Sequence, residues 1–170
     1  MLTVFAGPMF SGKTTALIEQ SRKLGIDHIW KPRKDTRDES IIVRSHDGLE
    51  VQASVLDTKQ QIQHLYSILV DEFQFLPKSL ATDIINYSNH ADVYVSMLDK
   101  DYRGINFENY DLILNSEVTK RMEHRFSRCT VCDGKAMFSF RKVKSDDLIF
   151  CGAGESYEPR CLDHFSVLQL

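Results

Sequence analysis

The eight residues from Gly7 to Thr14 are the stretch of the sequence whose types and spacing most clearly predict chemistry. They follow a short apolar run and precede a helical pattern. Glycines allow a tight curl in which successive backbone N–H groups point inward, and the next helix directs its positive N-terminal end at the same point. A glycine-rich turn that merely starts a helix is the alternative, and so many specified positions disfavour it. The pattern predicts a phosphate-binding loop for ATP, formed by Gly7, Pro8, Met9, Phe10, Ser11, Gly12, Lys13 and Thr14.

Within this loop, two side chains have distinct predicted roles. Lys13 would contact the β- and γ-phosphates, and the Thr14 hydroxyl would contact Mg²⁺.

Two adjacent carboxylates, Asp71 and Glu72, lie at the end of a second apolar run. At the carboxyl end of a parallel strand, Asp71 could hold Mg²⁺ directly or through water, and Glu72 could accept a proton from a hydroxyl group. The alternative is that the pair simply begins a solvent-exposed loop; the phosphate-binding loop favours the functional interpretation.

A charged segment, Lys34-Asp35-Thr36-Arg37, lies within a long polar stretch at residues 31–48. Arg37 could stabilise negative charge on a phosphoryl group in transfer, and Asp35 could help to order Mg²⁺. Charge-rich loops are usually only solvated. Spacing alone therefore leaves both interpretations of this segment open.

Two chelating pairs lie near the C-terminus. Cys129 and Cys132 are spaced as C-x2-C, and Cys161 and His164 as C-x2-H. Three thiolates and one imidazole are a ligand set that Zn²⁺ accepts in closed, four-coordinate structural sites. The segment between the pairs is too short to build a hydrophobic core, so a metal would supply stability. The alternative is four ordinary buried side chains; Cys151 is interpreted as a small buried apolar residue.

Composition limits the class of protein. The chain has 170 residues, of which 42% are hydrophobic and 26% charged, which is typical of a globular protein with one main core. Its net charge of −3 gives no general nucleic-acid footprint. It has no run of about 18 apolar residues that would predict a membrane span. Met1 leads directly into the first apolar run, so we expect no signal peptide, a cytoplasmic location and reduced cysteines.

Apolar runs alternate with helical patterns up to about residue 125, and this alternation predicts an α/β fold with a mostly parallel sheet. Buried strands are predicted at residues 2–6 and 67–71, and further strands at residues 26–30 and 93–98; a weak alternation at residues 49–53 indicates one more. Helices are predicted at residues 15–24, 57–66 and 79–89. After Arg125 the helical period is lost. We therefore expect two domains, at residues 1–125 and 126–170.

Together these segments resemble the type II thymidine kinases, a family with cellular, bacterial, phage and poxviral members. The likeness extends over almost the whole chain and follows one order. The matching segments are residues 7–15, Lys34-Asp35-Thr36-Arg37, Ser45-His46-Asp47-Gly48, Asp71-Glu72-Phe73-Gln74-Phe75, residues 98–107, residues 116–120, the paired metal ligands and residues 152–161.

The resemblance implies a kinase domain of the P-loop NTPase type and a small C-terminal zinc-ribbon domain, the lasso, that closes over thymidine. It implies that Glu72 is the general base and that Met9, Leu98 and Ser139 line the base pocket. The residues that it assigns to the ATP and Mg²⁺ site beyond the loop are Asp35, Thr36, Arg37, Asp71 and Gln74. The residues that it places against thymidine are Tyr102, Phe107, Leu148, Ile149, Phe150, Cys151, Gly152 and Tyr157. From the residues alone, the aromatic members could equally be packing in a core.

The implied reaction transfers the γ-phosphoryl group of ATP to the 5′-hydroxyl of thymidine, and also of deoxyuridine, giving the nucleoside monophosphate and ADP. This is a salvage route to DNA precursors. The resemblance further implies a homotetramer, structural Zn²⁺ and feedback inhibition by dTTP.

Two other interpretations stay open at this stage. One is a P-loop ATPase or switch whose zinc ribbon binds single-stranded nucleic acid, which the locally basic tail favours and the net charge opposes. The other is an inactive scaffold that keeps the fold without the chemistry, which the intact Lys13, Thr14, Asp71 and Glu72 oppose. Nucleoside-stimulated or DNA-stimulated ATP turnover would distinguish them.

Overall fold

A seven-stranded sheet forms the centre of the molecule. The computed structural model describes residues 1–33, 42–144 and 154–165. The strands of this sheet are β1 (Leu2–Ala6), β2 (His28–Lys31), β3 (Ile42–Arg44), β4 (Glu50–Val55), β5 (Ser67–Val70), β6 (Asp92–Met97) and β7 (Lys120–His124). Their spatial order is β3-β4-β2-β5-β6-β1-β7, and every pairing is parallel except β3 with β4. The predicted mostly parallel α/β sheet is confirmed.

Three helices cover the two faces of the sheet: α1 (Lys13–Leu24), α2 (Lys78–Tyr87) and α3 (Glu108–Asn115). On one face, Leu17 and Ile18 of α1 pack into a cluster with Phe5 and Ile29. On the other, α2 and α3 pack against the opposite side chains of β1, β5 and β6. All five residues of β1 are buried because the strand lies between β6 and β7 with packed side chains on both faces.

The predicted helix at residues 57–66 is wrong. Only a single 3₁₀ turn, Lys59–Gln61, forms there. The Gln61 side chain accepts hydrogen bonds from the backbone N–H groups of Asp57 and Thr58, at 2.8 and 2.9 Å, and so caps the turn. Ile62 is the only buried residue of the stretch. A helix without an apolar face to pack has little to stabilise it, so the turn does not propagate.

Three elements before residue 125 were not predicted, and neither were the strands that follow it. β3 lies inside the stretch that was interpreted as a loop, and α3 and β7 follow the predicted elements. β7 reads Lys-Arg-Met-Glu-His and has no fully buried residue. It is an edge strand held largely by backbone pairing with β1, and such a strand carries no apolar signal in its sequence.

Residues after β7 form two small antiparallel ribbons. One joins β8 (Ser127–Arg128) to β9 (Lys135–Ala136), and the other joins β10 (Phe138–Arg141) to β11 (Tyr157–Arg160). We call residues 126–165, where described, the tail module, and the described residues up to Arg125 the sheet domain. It touches the sheet domain through side chains: Phe138 and Phe165 stack at 4.4 Å between ring centroids, beside the backbone of Gly104. In the described ranges, no helix is long and apolar enough to cross a bilayer.

Candidate nucleotide and metal sites

The loop between β1 and α1 has the curled backbone that a phosphate site requires. Phe10 and Gly12 have positive φ angles of 61° and 73°. Gly7 has φ 150°, and a Cβ atom there would lie 2.2 Å from the carbonyl oxygen of Arg125. Only glycine fits that position, because the neighbouring strand end occupies the space a side chain would need. A cavity of about 500 Å³ opens over the loop, lined by residues 9–15, His46, Asp47 and residues 126–128.

Lys13 begins α1, and its side chain folds back over the loop. Its Nζ donates to the Pro8 carbonyl oxygen over 2.6 Å and lies 3.5 Å from Ser11 Oγ. Ser11 Oγ donates to the same carbonyl over 2.8 Å. The lysine is only 9% exposed although it lines the cavity. An ammonium group at the floor of a concave site adds attraction for an anion to that of the loop's backbone N–H groups.

Asp71 and Thr14 meet at the carboxyl end of β5. Thr14 Oγ1 donates to Asp71 Oδ1 over 3.2 Å, and Ser96 of β6 donates to the same oxygen. The carboxylate is 5% exposed. The hydroxyl and carboxylate oxygens are hard ligands, which suit Mg²⁺ and waters bound to it. The residues present therefore fit a Mg²⁺ site next to the loop.

Glu72 follows Asp71 in a left-handed conformation, with φ 52° and ψ 42°. A glutamate rarely adopts these angles, and tertiary contacts must hold it there. The Gln74 side chain provides one: its Nε2 donates to Glu72 Oε2, while its Oε1 accepts from the backbone N–H of Leu98 over 3.0 Å. Gln74 thus ties the glutamate to the end of the neighbouring strand β6. The family resemblance assigns Gln74 to the ATP and Mg²⁺ site. The hydrogen bonds of its side chain are instead with Glu72 and Leu98.

The residues predicted to contact a nucleoside fall into described and undescribed groups. The guanidinium carbon of Arg141 lies 3.4 Å from the Tyr102 ring centroid, a cation–π contact between the sheet domain and the tail module. Phe107 packs at the start of α3, 6.1 Å from the Phe75 ring. Tyr157 is buried in β11. Outside the described residues lie Asp35, Thr36, Arg37, Leu148, Ile149, Phe150, Cys151 and Gly152.

The two chelating pairs come together in the tail module. One possible ligand atom from each of Cys129, Cys132, Cys161 and His164 lies within 4.8 Å of the others. The Cys132 and Cys161 sulfurs are 3.7 Å apart, and His164 Nδ1 lies 3.9 Å from Cys129 Sγ. A disulfide needs sulfurs about 2.05 Å apart, whereas tetrahedral ligands around one ion are separated by roughly these observed distances. Three thiols and an imidazole in this arrangement fit a metal ion.

Two thiols of this cluster, those of Cys129 and Cys132, have opposite pKa shifts. Burial raises the pKa of Cys129, but hydrogen bonds from the backbone of Cys161, Val131 and Cys132 outweigh it and lower the pKa to about 6. The pKa of Cys132 is raised: a backbone hydrogen bond from Gly134 lowers it, and burial with the neighbouring sulfurs outweighs that bond. The Cys129 thiolate therefore forms more readily than the Cys132 thiolate.

Three contacts around the loop were missed by sequence analysis. Ser96 donates to Asp71, as described above; Thr15 Oγ1 donates to Asp47 Oδ2 over 2.6 Å; and the Met9 N–H donates to Ser139 Oγ over 2.9 Å. The His46-Asp47 segment was part of the matched pattern, so its presence near the loop had a signal. Met9 and Ser139 were both placed in the base pocket by the family resemblance, although the hydrogen bond between them was not predicted. Ser96 is a single serine within a strand, and no motif around it indicates Asp71 as its partner.

The fold and these sites define a P-loop phosphotransferase of the α/β class with a C-terminal metal-binding module. Comparison with known proteins narrows the class: the model of the Thymidine kinase family matches residues 1–165. A thymidine kinase of Pyrobaculum aerophilum is 31% identical, covering 98% of this chain and 99% of that protein. One of Bacteroides fragilis is 33% identical, covering 94% and 84%. Thymidine kinase 1 of Dictyostelium discoideum is 34% identical, covering 94% and 75%. The chain belongs to the thymidine kinase family.

Proposed function

We propose that the protein transfers the γ-phosphoryl group of ATP to the 5′-hydroxyl of thymidine, and also of deoxyuridine, giving the nucleoside monophosphate and ADP. The observation that carries the proposal is that the phosphate-binding loop and the carboxylate of Glu72 lie next to each other at one edge of the sheet. The phosphate-binding loop with Lys13 contacts Asp71, and Glu72 is the very next residue. Family membership identifies the acceptor class.

The loop's part in this reaction is to hold the transferring phosphates. Backbone N–H groups of residues 9–14 and the N-terminus of α1 bind the phosphate oxygens, and Lys13 moves its ammonium from the Pro8 carbonyl onto them. Mg²⁺, held by Thr14 and Asp71, would offset charge on the phosphate oxygens. Ser96 and Thr14, both donating to Asp71, keep that carboxylate oriented.

Glu72 acts as the general base. Its strained backbone and the hydrogen bond from Gln74 hold its carboxylate at the end of β5, beside the acceptor side of the site. There it accepts the proton of the 5′-hydroxyl as the oxygen attacks phosphorus. Asp35, Thr36 and Arg37 are proposed to complete the phosphate site, with Arg37 offsetting the charge that develops in the transition state.

Residues 126–170, which include the tail module, are proposed to form a separate domain, with residues 1–125 forming the kinase domain. The metal of the tail module is proposed to be structural Zn²⁺, because three sulfurs and one imidazole nitrogen are typical of closed zinc sites. The metal fixes both ends of the segment that covers the nucleoside. Tyr102, Phe107, Tyr157 and the residues at 148–152 are proposed to surround the base.

Further properties of the family extend the proposal. We infer a homotetramer, feedback inhibition by dTTP and a cytoplasmic location. Reduced thiols, which the metal ligand set requires, suit a reducing compartment. No binding to nucleic acid is proposed, because the chain's net charge is −3 and phosphate-backbone binding requires a positive footprint.

The test is ATP turnover with each nucleoside offered separately, followed by identification of the product. ADP release stimulated by thymidine, with a 5′-monophosphate formed in equal amount, is the expected result. Stimulation by single-stranded DNA and by no nucleoside would instead favour a P-loop ATPase acting on nucleic acid. Thymidine binding with no turnover in the presence of Mg²⁺ and ATP would favour an inactive scaffold.

A further inference from the structure

Arg125, the residue that follows β7, contacts the phosphate-binding loop near both of its glycines. Its backbone N–H donates to the Ala6 carbonyl over 2.7 Å and extends the β1–β7 pairing by one residue. Its carbonyl oxygen occupies the space where a side chain on Gly7 would begin. Its Nη1 lies 3.9 Å from the position of a Cβ atom on Gly12. One residue therefore braces the start and the end of the loop.

The Arg125 side chain brings a permanent positive charge to this side of the loop. Its guanidinium carbon lies 5.7 Å from the Phe5 ring centroid. The Nε is buried, and among the residues that the structure describes it has no hydrogen-bond partner. Arg125 lines a second cavity, of about 250 Å³ and separate from the one over the loop, together with Glu19 and Glu123. Glu123 is paired with Arg121 at 3.0 Å. An arginine side chain stays charged at any ordinary pH.

Gly12 is the loop residue that lies beside the Arg125 guanidinium. It caps the N-terminus of α1, where the helix presents unpaired N–H groups to an anion. A guanidinium beside that cap adds to the positive end of the helix, in a partly buried position where solvent screens it weakly. The effect should grow with the number of phosphates bound and leave the sugar and base contacts unchanged.

We propose that Arg125 is a positioning residue for the nucleotide phosphates: it braces Gly12 and supplies positive charge behind the phosphate-binding loop. The proposal rests on the proposed function only in that the loop binds the phosphates of ATP. It assigns a second, strand-borne cation to the site in addition to Lys13.

The test compares ADP and adenosine binding in matched variants. Arg125→Met keeps an unbranched apolar stem over Phe5 and removes the charge. We expect its dissociation constant for ADP to rise about tenfold, and that for adenosine to change less than about twofold. Arg125→Lys should recover most of the ADP affinity. Arg121→Met, four residues earlier and within β7, should leave ADP affinity unchanged. In turnover, Arg125→Met should raise KM for ATP while KM for thymidine and kcat stay within about twofold.

Several outcomes would overturn the proposal. Unchanged ADP affinity in a folded Arg125→Met protein would do so. So would equal losses in the Met and Lys variants, or equal losses for ADP and adenosine, since a purely structural role predicts both. Thermal unfolding of each variant establishes that it is folded. ADP binding is measured directly. A wild-type protein that binds ADP without phosphorylating thymidine would therefore refute the proposed reaction, and the role of Arg125 could still be tested by ADP binding.

Discussion

Lys13 and Glu72 lie at the same edge of the sheet but are held by different means. The lysine ammonium is hydrogen-bonded to the Pro8 carbonyl of its own loop. The glutamate is held by a left-handed backbone and by Gln74, whose other end is bonded to the next strand. In the first arrangement the ammonium can exchange its hydrogen bond with the Pro8 carbonyl for one with a ligand. In the second the carboxylate is fixed in place.

Replacing Lys13 by alanine should abolish phosphorylation while leaving the fold intact. The ammonium acts as a point charge on the phosphates, and the side chain contributes little to either hydrophobic cluster. We expect turnover to fall by at least about 10²-fold, the usual cost of losing one preorganised charge in a transition state. Steady-state turnover measures this, with circular dichroism as the folding control. Near-normal turnover in a folded variant would refute the role of the loop.

Replacing Glu72 by glutamine should lower kcat by roughly 10²- to 10⁴-fold, the usual contribution of a positioned general base. Glutamine has the same shape, and its amide oxygen can still accept the hydrogen bond from Gln74, so thymidine binding should persist. Single-turnover kinetics separate chemistry from product release. Asp35 and Arg37 remain intact in this variant, so a change of less than about threefold in the chemical step would mean that another group removes the proton.

At the scale of elements, the sequence predicted those that carry their own apolar signal. β1, β5 and β6 are largely buried apolar runs, and the loop after β1 has a motif with many specified positions. β7 was missed because its stability comes from pairing with β1, which is not a property of its own five residues. The 3₁₀ turn after Asp57 was mistaken for a helix because its capping residues are those of a helix start.

In the site, too, the residues that belong to a local motif were predicted, and those that depend on distant partners were not. The loop, the carboxylate pair and the metal ligands were predicted because each is a short motif in the sequence. The partners that orient them, Ser96 on Asp71 and Ser139 on Met9, come from distant strands. Their sequence separations depend on the topology of the sheet and of the tail module, and no local pattern encodes that.

The metal site of the tail module has an element-scale consequence. Removing one ligand with Cys132→Ser should reduce bound Zn²⁺ from about one per chain to far less, because zinc binding is coupled to the order of such small segments. Thymidine affinity should fall more than ADP affinity, because the loop's own backbone supplies the phosphate contacts. Some loss for ADP is expected, since residues 126–128 run from the nucleotide cavity into Cys129.

Cys151→Ser is the matched control for this experiment. Four ligands already complete a tetrahedral site, so the control should keep its zinc. Metal analysis and calorimetry on the purified proteins measure bound zinc and thymidine affinity. Loss of zinc from the control would reassign the ligands. Unaltered thymidine affinity in a folded, zinc-free Cys132→Ser protein would remove the tail module from nucleoside binding.

At the scale of the whole molecule, the two parts meet through a few specific contacts. The Met9 N–H donates to Ser139 Oγ, Arg141 lies on the Tyr102 ring, and Phe138 and Phe165 stack beside Gly104. The first of these joins the loop that binds phosphate to a strand of the module proposed to bind the nucleoside. The order of the tail module is therefore coupled to the conformation of the loop.

Ser139→Ala should release this connection. The hydrogen bond is partly buried, and its loss should cost about 1 kcal/mol, equivalent to roughly fivefold in a local opening equilibrium. We expect the Met9 amide to exchange with solvent faster by about that factor, while amides of β6 are unchanged. Ser139→Thr, which keeps the hydroxyl, is the control. If Met9 exchange is equally slow in the alanine variant, the loop does not depend on the module.

The placement of β1 between β6 and β7 has a consequence for how the protein is made. The first strand to leave the ribosome has both of its partners near residues 92–97 and 120–124, so it stays unpaired while most of the sheet domain is synthesised. At roughly 5–20 residues per second, that interval lasts several seconds or more. A nascent chain stalled before residue 120 cannot form a finished nucleotide pocket, whatever its motif. Capture of stalled chains on immobilised ATP should therefore begin abruptly once β7 and Arg125 have emerged.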